Sequence, residues 1–467
     1  SVYLQEVFME LYQYINKLFD YINSRSPVLI ITPMVEYIGN AAEEIYYALL
    51  KARREGKKVL LLYPYNLIPR KTFKFVISNY ELFNLESDYS ITDNSYLSYL
   101  LKLFLTIFYN PMRFYYCLRK ALLLRIQGRK TFREKSDSEN TSNYWYKMPS
   151  IGRTGLFKPE KVRFFSWDVV KELKWGEQFN EPLSVRLNRN KRIYAEDMRV
   201  KMGIPADKWF VCLHVREQSF YQDNDRPWRN SSIFNYIKGI KAIVDSGGYV
   251  VRMGDKSMTP MPKMRGVIDY PFSPFKSELM DLYLISECRF YIGTNSGPFG
   301  VANLFQKPMI MVNLSDLAIL SYQKVSFAII KHLYSHSRNR FLSISEILQE
   351  PFECQGNKRL GSDYIMFENT PDEIYDVITE FLNRLTDWEY TGKWEYSELQ
   401  KEFMYAKRLL MTKWVNDGIV YDNSPFDVVQ TYRFASYIDS DMGTLYHKYL
   451  EQNWSEDSMN HYYSFTE

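Results

Sequence analysis

Cysteine is almost missing from this chain. Its 467 residues hold four, Cys117, Cys212, Cys288 and Cys354, far apart and with no Cys-x-x-Cys pair. That excludes a zinc ribbon and a disulfide framework. Cys212 and Cys288 lie in apolar runs and read as reduced core residues, a pattern expected of a cytoplasmic protein. No apolar run is long enough to cross a bilayer, and no secretory leader is visible. An excess of one charge is also missing: 59 basic against 55 acidic residues leave a net charge of +4, too mild for nucleic acid as main partner. No G-x-x-x-x-G-K-[ST] occurs, which argues against a P-loop kinase, and no G-x-S-x-G elbow, which argues against an α/β-hydrolase. Gly293, Gly297 and Gly300 do not match G-x-G-x-x-G, so dinucleotide oxidoreductases are disfavoured. No D-x-D of a metal-dependent sugar transferase follows a strand; Asp223-Asn224-Asp225 lies in a loop.

What is present is an alternation of apolar runs and amphipathic segments. Length allows two or three domains, and 46% hydrophobic with 24% charged residues is globular composition. A helix is expected over Tyr3–Tyr21, a strand over Pro27–Pro33, a helix opened by Gly39-Asn40, and a strand over Val59–Tyr63. That is a βαβ unit, right-handed by default. The loop Met34–Asn40 at its strand end is a natural ligand-facing surface. Residues 99–130 set Arg113, Arg119, Lys120, Arg125, Arg129 and Lys130 among Leu, Phe and Tyr. Two readings fit: a core helix with a solvated basic edge, or an amphipathic helix on an anionic membrane. Ile151-Gly152-Arg153-Thr154-Gly155 is a surface turn or a mobile loop able to reach an anion.

After a charged connector helix (Arg186–Met202) the α/β rhythm resumes, with strands at Trp209–Val215, Tyr249–Met253, Gly266–Tyr270, Arg289–Gly293 and Pro308–Asn313 and helices at Ser231–Ser246 and Ser277–Cys288. This is the spacing of a doubly wound parallel sheet. Thr370-Pro371-Asp372-Glu373 starts a further helix, and from Asp387 the chain reads as a helical extension packing back on the domains. The expected domains are 1–185, 186–386 and 387–467.

Three strand ends carry the polar groups. His214-Val215-Arg216-Glu217 offers an arginine suited to phosphate. Arg252-Met253-Gly254-Asp255 combines close backbone approach with a carboxylate able to take bonds from a ribose or base. Thr294-Asn295-Ser296-Gly297 is a tight turn into a helix start at Pro298, an anion-binding arrangement. Each alone has a plain structural reading: an interior ion pair, a turn cap, a helix cap. Together they suit a diphosphate in a cleft between two α/β domains, with no metal needed for the leaving group. The loop through Tyr221, Asp223, Arg229 and Asn230 is the candidate for acceptor recognition, with Gly39, Asn40 and Arg153 from the first half. Glu217 is the preferred general base and His214 its competitor.

These motifs, in order Cys212-Leu213-His214-Val215-Arg216-Glu217, Tyr221-Gln222-Asp223, Arg229-Asn230, Asn235-Tyr236, Gly247–Asp255 and Gly293–Pro298, with Ile38-Gly39-Asn40, resemble a bacterial family of glycosyltransferases found among surface-polysaccharide genes. The resemblance covers most of residues 27–315. More distantly, His214-x-Arg216 and the Gly293–Gly297 turn are similar to the GDP-fucose-using O- and α1,6-fucosyltransferase group. That similarity implies a GT-B fold of two Rossmann-like domains, inversion at the anomeric carbon, and Arg216 and Ser296 on the donor diphosphate. Glu217 stands where that group often has a second basic residue. The implied activity is metal-independent sugar transfer from a nucleotide sugar, GDP-linked by preference, to a surface-glycan or lipid-linked acceptor, with no cofactor. The reduced cysteines point to the cytoplasm, and the basic stretch 99–130 suits a peripheral position on the inner membrane face. The alternatives are a CMP-activated acidic-sugar transferase, with Arg153 or Arg229 near the acid, and a non-catalytic nucleotide- or glycan-binding scaffold.

Overall fold

A computed structural model describes residues 25–31, 38–62, 78–90, 99–100, 102–103, 182–217, 227–315, 317, 320–321, 323–349, 363–416 and 443–455. The chain divides into two compact units, one of Ser1–Val169, Leu183–Asn188 and Tyr421–Thr431, the other of Val170–Pro182, Arg189–Val420 and Tyr432–Glu467. The helix expected over Tyr3–Tyr21 and nearly all of the basic stretch 99–130 lie outside the described residues. Among the described residues no helix is long and apolar enough to cross a membrane.

In the first unit β1 (Val28–Ile31) and β2 (Lys58–Leu61) pair in parallel, joined by helix α1 (Ile38–Glu55). Ala41, Ala42, Ile45, Tyr46, Ala48 and Leu49 give α1 its buried face. Ser90 extends the pairing through a parallel bridge to Val59, so the βαβ arrangement continues one strand position further.

The second unit opens with α2 (Arg189–Lys201) and is built on a six-stranded, wholly parallel sheet. Its strands are β3 (Phe210–His214), β4 (Tyr249–Arg252), β5 (Val267–Asp269), β6 (Tyr291–Gly293), β7 (Met309–Leu314) and β8 (Ser326–Ile330). The helices between them are α3 (Ile237–Asp245), α4 (Glu278–Glu287) and α5 (Gly297–Leu304). β3, β6, β7 and β8 are buried along their whole length, as the apolar runs of a two-sided parallel sheet must be. The expected helix Ser231–Ser246 begins instead as a tighter turn, Ile233–Tyr236, because the Ser232 hydroxyl takes the Phe234 N–H before α3 starts.

Strand order is β5-β4-β3-β6-β7-β8. The chain therefore winds outward from β3 to β5, crosses back over β3, and winds outward again from β6 to β8. Winding direction reverses between β3 and β6, the topological switch point where open α/β sheets leave a crevice at their strand ends.

The stretch from 326 to 367 holds structure that the sequence pattern did not announce: β8 and a small antiparallel sheet of β9 (His332–Ser335), β10 (Arg340–Phe341) and β11 (Tyr364–Phe367) in the order β10-β9-β11. These strands run for only two to five residues, too short to show a period.

Helix α6 (Pro371–Thr391) starts at a capping box, Thr370 with Glu373, and ends at Gly392 in the left-handed region (φ 70°). Its Phe381 packs on Phe290 and Phe327, with ring centroids at 5.3 and 5.6 Å. Trp394 and Tyr446 close the same cluster around Phe327, and Arg384 stacks on Phe327 and Trp394. Gln400 of α7 (Glu398–Asn416) donates to the Leu445 carbonyl, and Tyr449 of α8 (His447–Asn453) donates to the Ile330 carbonyl at the end of β8. The described part of the helical C-terminal region thus packs on the second unit's sheet.

Candidate functional site

The switch point is built from the ends of β3 and β6. Register sets His214 beside Gly293, so both lie on one face of the sheet. Beyond the strands, the Arg216 amide donates to Thr294 Oγ1 (3.0 Å) and the Thr294 amide donates to the His214 carbonyl (3.1 Å). Thr294 is wholly buried: it laces the two strand ends together rather than facing a ligand. Gly293 is required by close approach. A Cβ there would sit 2.4 Å from the Tyr291 ring, which folds back over the strand end.

Ser296 occupies the N-cap position of α5 but makes no side-chain cap. Its hydroxyl is 2.8 Å from His214 Nδ1. The first turn of α5 therefore lacks its N-cap side-chain acceptor, and Pro298 at its start has no N–H to satisfy. Ser296, Gly297 and Pro298 are half-exposed while Asn295 and Phe299 on either side are buried. An uncapped helix start facing outward at a switch point is the geometry in which helix N-termini meet anions.

His214 is buried, and burial first, then the positive Arg252 near it, moves its pKa from 6.5 down to about 4. It is a neutral imidazole at physiological pH. Arg216 is 6% exposed, with its carbonyl taking the Ser231 N–H. Arg229 is brought to the same place: Nη2 donates to the Asn295 carbonyl (2.7 Å) and to Asn295 Oδ1 (2.5 Å). Asn295 Nδ2 reaches on to Ser315 Oγ. Of the residues named from sequence, His214, Arg216, Arg229, Thr294, Asn295, Ser296 and Gly297 converge.

Glu217 and Arg252 require a correction. Arg252 is wholly buried and spans two carboxylates, Glu217 Oε1 at 2.6 Å and Asp269 Oδ1 at 2.9 Å. Its charge is spent inside the protein and does not reach a ligand. The other oxygen of Glu217 accepts the Thr259 N–H at 2.7 Å. Both oxygens of Glu217 are thus engaged, one by the guanidinium and one by an amide, so the base role expected of it is not supported. Asp255 also follows its plainer reading, with Oδ1 capping the turn by taking the Ser257 N–H at 2.7 Å. Gly254 keeps its expected freedom: its φ is +146°, and a Cβ would strike Met258 Sδ at 2.1 Å.

Gly39 and Asn40 lie in the first turn of α1 in the other unit. Asn230 contributes its backbone, since its carbonyl accepts from Lys331 Nζ at 2.5 Å. Arg153, Tyr221 and Asp223 lie outside the described residues. Two residues were missed. Asp269 ends a short strand and was read only as strand. Lys331 follows β8, and burial lowers its pKa. A charged residue closing an apolar run was the available signal for both. Among the described residues no cluster of His, Cys, Asp and Glu could hold a metal ion.

No family model and no curated protein matches this chain. Several solved structures resemble it remotely, three of them as follows. The E. coli ADP-heptose LPS heptosyltransferase II is 12% identical, with a TM-score of 0.36 over 78% of this chain and 99% of that one. A glycosyl transferase family 9 structure from Veillonella parvula is 13% identical, with a TM-score of 0.35 over 64% of this chain and 85% of that one. The dodecameric iron-containing heptosyltransferase TibC, solved with ADP-D-beta-D-heptose, is 15% identical, with a TM-score of 0.22 over 40% and 48%.

Proposed function

We propose that this protein is a GT-B glycosyltransferase whose second unit holds the diphosphate of a nucleotide-sugar donor at the β3/β6 switch point. The observation that carries the reading is the uncapped start of α5, whose cap residue is turned away onto His214. The helix end and the neighbouring Arg216 supply positive potential for the departing diphosphate. Residues 1–185 take the acceptor side and 186–386 the donor side, with a surface glycan or lipid-linked saccharide as acceptor class. In the transfer, an acceptor oxygen bonds to the anomeric carbon as the bond from that carbon to the diphosphate oxygen breaks, and the acceptor proton leaves to a base. With Glu217 engaged, His214 is the remaining candidate: it is neutral, and an anion bound beside it raises its affinity for a proton.

Gly297→Asp separates this reading from a merely structural turn. A carboxylate in the first helical turn complements the helix dipole but repels a diphosphate. We expect unchanged or slightly raised thermal stability and loss of binding in a calorimetric panel of GDP, ADP, UDP, dTDP and CMP. Nucleotide binding that survives Gly297→Asp and Arg216→Ala together would place the ligand elsewhere. Donor hydrolysis or transfer followed by mass spectrometry separates an enzyme from a binding scaffold, and His214→Gln should lower turnover more than nucleotide affinity.

A further inference from the structure

The Arg252 cluster holds more than an ion pair. Each carboxylate that Arg252 bridges spends its second oxygen on the backbone of one loop: Glu217 Oε2 takes the Thr259 N–H (2.7 Å) and Asp269 Oδ2 takes the Met261 N–H (2.9 Å). The loop leaves β4 through Gly254, turns on the Asp255–Ser257 bond, and buries Met258 against Gly254. Register sets Leu213 beside Arg252 and Arg252 beside Asp269, so one guanidinium ties the ends of three adjacent strands to two amides of one segment. A fold needing only stability at this edge could use apolar side chains of similar volume, which are often at least as stable as a buried ion network.

We infer that Arg252 is a positioning residue, and that the Glu217–Arg252–Asp269 network fixes residues 254–261 as a rigid wall for the nucleoside half of the donor. This rests on the donor-site reading above. The diphosphate lies toward α5, and the fixed loop lies on the opposite flank of β3, beyond the strand ends of β4 and β5. A nucleoside extending from the diphosphate to that side meets a preorganised backbone instead of a mobile one, and the ordering cost of binding falls.

The test is Asp269→Asn, which weakens one arm of the network without touching the diphosphate side. Two readouts are taken on the full chain. The first is trypsin cleavage after Lys256, an exposed residue inside the loop. It should speed up roughly tenfold as the charge-assisted bonds weaken. The second compares the nucleoside diphosphate that wild type binds best with inorganic pyrophosphate. Nucleotide affinity should fall roughly tenfold while pyrophosphate affinity stays within about twofold. Global loosening would weaken both ligands and overturn the assignment, as would unchanged cleavage with unchanged nucleotide affinity. If wild type binds neither ligand, the donor site itself fails and the cleavage result still decides the network's hold on the loop. If Asp269→Asn does not fold, Glu217→Gln, which keeps one oxygen for the Thr259 amide, is scored on the same two readouts.

Discussion

The two flanks of β3 use polar residues in opposite ways. Toward β4 and β5, one buried arginine is held between two carboxylates, whose other oxygens hold backbone. Toward β6, Arg216 and Arg229 join a hydroxyl, an imidazole and amides beside a half-exposed helix start with no side-chain cap. The contrast teaches that counting charges at strand ends does not locate a ligand site. The flank toward β4 and β5 commits its arginine to its own carboxylates; the flank toward β6 keeps a helix start whose cap side chain is turned away.

The comparison breaks most visibly at Arg252. Arg252→Met leaves two carboxylates facing each other without a cation, and we expect a loss of about 3–5 kcal/mol in urea unfolding. A loss below about 1 kcal/mol would mean the network is dispensable for the fold. Next in size is pH. His214 is neutral in the folded chain down to a pKa of about 4 but titrates near 6.5 when unfolded. Its contribution is intact above about pH 6.5 and is lost as pH falls toward 4, because only the unfolded chain takes up the proton in that window. The shift corresponds to about 3 kcal/mol, and His214→Gln should flatten that part of the stability–pH curve. The same imidazole sharpens the contrast on ligand binding. A diphosphate beside it should draw a proton in, so nucleotide affinity should rise as pH is lowered from 7 toward 5, with proton uptake seen as a buffer-dependent calorimetric enthalpy.

Smaller effects follow on the β6 flank. Gly293→Ala drives a methyl into the Tyr291 ring, an overpacking cost of about 1–3 kcal/mol, part of which a second change, Tyr291→Leu, should recover. Ser296→Ala removes the bond to His214 and should cost about 1 kcal/mol or less in stability. Equal destabilisation by Ser296→Ala and Arg252→Met would erase the distinction between the flanks.

Much of this protein is written locally. Apolar runs bounded by turn residues marked β1, β2 and the strands β3 to β7, since a strand buried on both faces has little room for polar residues. Thr370-Pro371-Asp372-Glu373 specified its own helix start, and the Gly293–Gly297 turn was legible as a strand-to-helix corner, because both are interactions among neighbours in the chain. What only the tertiary structure decided is which strand ends meet, and so which charges cancel. Arg252 lies 35 residues from Glu217 and 17 from Asp269, and no local rule says that both carboxylates reach the same guanidinium. That meeting follows from the crossover that sets β4 and β5 on one side of β3 and β6 on the other. Sequence could name the polar residues at the sheet's edge; folding determined which of them were already taken.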